Sequence, residues 1–131
     1  MTNAGDLSAK ATIDAAIAVS AAGTQYVFSN AAFDIDASLT AFLASPTAEN
    51  AAAVTTAAMN ALNATAKTNL DATFIAAETV LFILDGTTGT SGAVFTFNNA
   101  NAAAAGNTID AGELVLVGVT DVVLVNGDII L

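Results

Sequence analysis

Histidine, cysteine and tryptophan are absent from this chain, and tyrosine occurs once. Without histidine or cysteine, neither a Ser/His/Asp triad nor a Cys/His dyad can be assembled. The missing cysteine also excludes a disulfide framework and a thiolate metal site. Cationic side chains are nearly as scarce: Lys10 and Lys67 stand against 12 carboxylates, for a formal net charge of -10. Phosphate binding relies on clustered Lys and Arg to displace counterions, so nucleic acid is excluded as a partner and an anionic membrane surface is disfavoured. No stretch reaches the ~20 strongly apolar residues that a bilayer span requires, so no membrane insertion is expected. Residues 1–10 carry Asp6 and Lys10, and Asp14 interrupts the apolar stretch that follows, which is a poor pattern for an N-terminal signal peptide.

What is present is alanine and β-branched residues. Apolar residues make up 55% of the chain while aromatics make up 6%, so the core should be thin and closely packed. A length of 131 residues fits a single domain spanning residues 1–131. Composition shifts near residue 78, giving an α+β expectation. An Ala-rich helical N-terminal half (about 1–77) should be followed by a predominantly antiparallel β C-terminal half (about 78–131).

Within the first half, Leu7, Ile13, Ile17 and Val19 among alanines predict a helix over 6–22 with Asp6 as N-cap. Residues 24–29 (TQYVFS) read as a short strand, and Asp36 as the cap of a second helix through Ala44. Ser45-Pro46 reads as the opening of a third helix over 47–77, with Glu49 near its positive dipole end. Val54, Ala58, Leu62, Ala66, Leu70 and Phe74 recur at i+4 along it, a stripe that winds by about 40° per step around an axis of 3.6 residues per turn. The second half supplies strand-like runs at 79–84, 93–97, 114–117, 122–125 and 129–131, with hairpin-turn chemistry (DGTTGTSG) between the first two.

Carboxylate pairs are the remaining acid/base option. Asp34 and Asp36 alternate in FDID, which in an extended segment would place both on one side, or else mark a solvated turn and helix cap. Gly86, Gly89 and Gly92 lack both a phosphate-loop lysine and a following helix, so they indicate a hairpin rather than a nucleotide site. No enzymatic activity is expected. The stretch NNANAAAAGNTIDAGELVL (98–116) is richer in information. Its GNTIDAGEL portion matches the back half of an EF-hand loop, with Ile109 at the apolar eighth position, Asp110 at the ninth and Glu113 at the bidentate twelfth. Positions one, three and five fall on Ala102, Ala104 and Gly106, which offer no side-chain oxygen. Two readings stand: Ca2+ held by Asp110, Glu113, Asn107 and backbone carbonyls, with Asn99, Asn101 or Asp85 reaching in, or an acidic turn that caps a short helix starting near Ile109.

The residues from 80 to 119, with FILDGTTGTSGAVFTFNN followed by TIDAGELVLVGV, resemble the C-terminal domain of type I-secreted, RTX-like bacterial surface proteins, closest to the version found in cyanobacterial and marine calcium-associated proteins. The resemblance covers less than half of the chain, and the GGxGxDxxx repeats of such proteins are missing. It implies export without an N-terminal signal peptide, read from an uncleaved C-terminal tail in which an acidic residue precedes apolar ones. Gly127-Asp128-Ile129-Ile130-Leu131 has that form, and is equally the form of a last apolar strand. The functional expectation is an extracellular or cell-surface structural subunit that self-assembles, its partners being copies of itself and calcium. The alternative is a binding or capping module of a larger type I-secreted adhesin. Deleting residues 129–131 should leave the protein inside the producing cell. Secretion that survives this deletion, or that is abolished by removing only residues 1–10, would place the export signal elsewhere.

Overall fold

A computed structural model describes residues 2–7, 24–28, 33–65, 79–85, 91–98 and 109–122. Their order is β1 (Thr2–Leu7), β2 (Thr24–Phe28), α1 (Asp36–Ala44), α2 (Ala48–Thr65), β3 (Thr79–Asp85), β4 (Gly92–Asn98) and β5 (Leu114–Thr120). The five strands form one sheet in chain order. β1, β2 and β3 run parallel, whereas β3, β4 and β5 are antiparallel neighbours. Parallel neighbours require a long crossover, and the β2-to-β3 connection contains both helices. The fold class is α+β. No helix among the described residues is long and apolar enough to cross a membrane.

Helices and sheet meet in one apolar cluster. Phe33, Ile35, Leu39, Val54, Ala58 and Leu62 come from the helical segment, and Leu84, Ala93, Phe95, Phe97, Ile109 and Leu114 from the sheet and the turn before β5. Val54, Ala58 and Leu62 are fully buried, as their i+4 spacing predicts for the inner stripe of a helix. Ala93, Phe95 and Phe97 place one face of β4 on this core, and the alternate residues Gly92 and Val94 are buried too. Both helices contact β5.

The pairing of β4 with β5 contains a bulge. Phe95 is opposite Leu116 and Val94 is opposite Gly118, so Val117 is the extra residue. The insertion changes the parity of the strand. Leu116 and Val119 both pack against the core cluster, whereas Val115 and Val117 are exposed.

The helix junction is built by side chains. The Ser45 N–H closes α1 on the carbonyls of Ala41 and Phe42, at 3.1 and 3.2 Å. Thr47, not Ser45, caps α2, its Oγ1 accepting the Asn50 N–H at 3.2 Å. Ser45 is committed to ending the first helix, so the next hydroxyl along takes the cap and Pro46 lies before it. The Asn50 side chain donates back to the Ser45 and Ala41 carbonyls, at 2.8 and 3.3 Å, tying the two helices together. Asp36 begins α1 rather than capping it, since Ile35 holds the N-cap position. The Asp36 N–H is bonded to the Asp34 carboxylate at 2.9 Å, an Asx turn leading into the helix without a side-chain cap.

The largest departure from the expected elements is at the start of the chain. Asp6 and Leu7, read as the beginning of a helix, lie in β1, where the hydrogen bonds of a parallel neighbour outweigh local helix preference. The N-terminal half is therefore not purely helical. The remainder of that helix, the far part of the 47–77 helix and the strands at 123–125 and 129–131 lie outside the described residues, and Val122 lies in a bend after β5.

Core and surface leucines separate the contributions of packing. Leu62→Ala should destabilise the fold by about 2–5 kcal/mol, while Leu43→Ala, at a position 43% exposed, should change stability by no more than about 0.5 kcal/mol. Urea denaturation of both variants measures the difference.

Candidate functional site

The acidic segment singled out in the sequence leads directly into β5. Ile109 is buried in the core, as expected for the eighth residue of a loop of this type, and Glu113 is also buried. Asp110 to Glu113 form a reverse turn, with the Glu113 N–H donating to the Asp110 carbonyl at 3.1 Å. Gly112 is the third residue of this turn and has a φ of 93°, the left-handed value that a type II turn requires there. No helix begins at Ile109: the i to i+3 bond and the positive φ end the turn and release the chain into the strand.

Two side chains hold the turn. The Glu113 carboxylate folds back and accepts the Asp110 N–H at 2.8 Å through Oε2. From α2, Asn63 grips the backbone of Ile109 at both ends: its Oδ1 accepts the Ile109 N–H at 2.7 Å and its Nδ2 donates to the Ile109 carbonyl at 3.1 Å. One amide thus satisfies both backbone groups of a buried residue, as a neighbouring strand would. Sequence reasoning overlooked Asn63. The available signal is an amide adjoining the buried Leu62 stripe, where a polar residue needs a defined partner.

The strand register decides which of the other candidate ligands can meet. Asp85 pairs with Gly92, which pairs with Thr120, whereas the turn precedes Leu114, which pairs with Phe97. Asp85 is therefore at the opposite end of the sheet from Asp110 and Glu113, on the order of 17 Å away at ~3.3 Å per residue. It does not reach into this turn. Asn99, Asn101 and Asn107 lie outside the described residues.

The residues present fit a divalent cation only in part. Asp110 is half-buried at the turn, but one Glu113 oxygen is engaged by the Asp110 N–H and the Ile109 carbonyl by Asn63. The engaged Glu113 oxygen keeps a second lone pair, so this hydrogen bond does not by itself bar ligation by Glu113. Among the described residues there is no group of three or more acidic side chains placed to hold a metal ion.

A second feature borders the turn. Val115, Val117 and Val122 are 53%, 62% and 56% exposed, a run of apolar side chains on and just after β5. β5 is the last strand of the sheet among the described residues. Thr120 bonds through Oγ1 to the Val122 carbonyl at 2.7 Å, fixing the bend at its far end.

Asn63→Ala should cost about 1–3 kcal/mol for each Ile109 backbone group left buried and unsatisfied, read from chemical denaturation. Asn63→Asp keeps the acceptor for the Ile109 N–H but sets a second, anionic oxygen against the Ile109 carbonyl, so at neutral pH it should not recover the stability lost in Asn63→Ala. Gly112→Ala meets no atom within 4 Å of the added Cβ, so its expected loss of about 1 kcal/mol reflects backbone conformation alone.

Comparison with protein-family models, with curated proteins and with solved structures found no match for this chain.

Proposed function

We propose that this chain is a secreted structural subunit that assembles with copies of itself into an extracellular filament, surface layer or matrix, with calcium assisting. The observation that carries the reading is the exposed valine run on and just after β5, the last strand of the sheet among the described residues. Natural edge strands are protected by lysine, proline or inward-pointing charge. The chain after Lys67 contains no lysine, arginine or proline, and the β5 sequence LVLVGVT carries no charge. An edge of this composition accepts a strand from a neighbouring copy, and a head-to-tail contact whose rotation does not close grows a fibre. In this reading α1 and α2 brace the sheet while its antiparallel C-terminal strands make the contacts between copies. The exposed small residues of α2, among them Ala52, Ala53 and Thr56, permit close approach of a neighbour on the other side.

Calcium enters because a net charge of -10 opposes the association of identical chains. Asp110 and Glu113, with Asn107, Asn101 and Asn99 nearby in sequence, are the proposed ligands. Export through the C-terminal tail is supported by the resemblance to type I-secreted surface proteins.

Two measurements test the proposal. Val117→Lys should fold normally by circular dichroism yet lose the large assemblies that the parent forms in sedimentation. A variant that sediments with the mass of the parent, or a parent that stays monomeric at high concentration with calcium, would favour a binding or capping module of a larger surface adhesin. Millimolar calcium should raise the Tm by mass action on the folded state, and Glu113→Gln should weaken that rise more than Asp34→Asn. No shift in Tm at millimolar calcium would remove the metal from the account.

A further inference from the structure

We draw no further inference here: the strongest candidate, the valine run of Val115, Val117 and Val122 on and just after β5, is the surface on which the proposed function already rests, and nothing in the described structure shows what else covers it.

Discussion

The packing of the Val54, Ala58 and Leu62 stripe into the cluster that holds Phe95, Phe97 and Leu114 is the interaction on which the other described features depend. Phe33, Phe95 and Phe97 are the largest fully buried side chains of this core, and the small Ala58 and Ala93 are buried among them. Two asparagines then convert packing into register. Asn50 fixes α1 against α2, and Asn63 fixes α2 to the turn that starts β5. Hydrogen bonds are directional where apolar contacts are not, so these amides select one arrangement among several that would bury similar area.

Much of this arrangement is legible in the sequence. The i+4 recurrence locates the inner stripe of α2, and the β-branched and aromatic runs locate β2, β3, β4 and β5 to within a few residues. Ile109 is buried, as an apolar residue within an acidic segment suggests, whereas the loop pattern does not call for the burial of Glu113. The rest depends on partners distant in the chain. β1 is a strand because β2 lies beside it, and nothing local to TNAGDL announces that neighbour. The bulge at Val117 arises from the joint register of two strands, and it alone determines that Val119 joins the core side. Glycine in AGE is compatible with a helix start or a turn, and only the φ of Gly112 separates them. Asn63 is one of several asparagines in an Ala-rich sequence, and its role is set by a residue 46 positions later.

The same packing leaves a clear asymmetry at β5. Leu114, Leu116 and Val119 serve the core, while the bulge directs Val117 away from it beside Val115. The strand itself, LVLVGVT, carries no lysine and no other charge. Apolar side chains on an uncharged strand, within a strongly acidic molecule, combine a local drive to associate with a global resistance to it. On the proposed reading, that balance would make association between copies respond to salt, divalent cations and concentration.

Hydrogen exchange of the β5 amides across a range of protein concentrations tests the central claim most directly. If β5 is the contact between copies, the amides of Leu114–Thr120 should gain protection as concentration rises with calcium present, while those of α2 within the core remain unchanged. Protection of β5 that is already complete in dilute protein, or that does not vary with concentration, would contradict the claim.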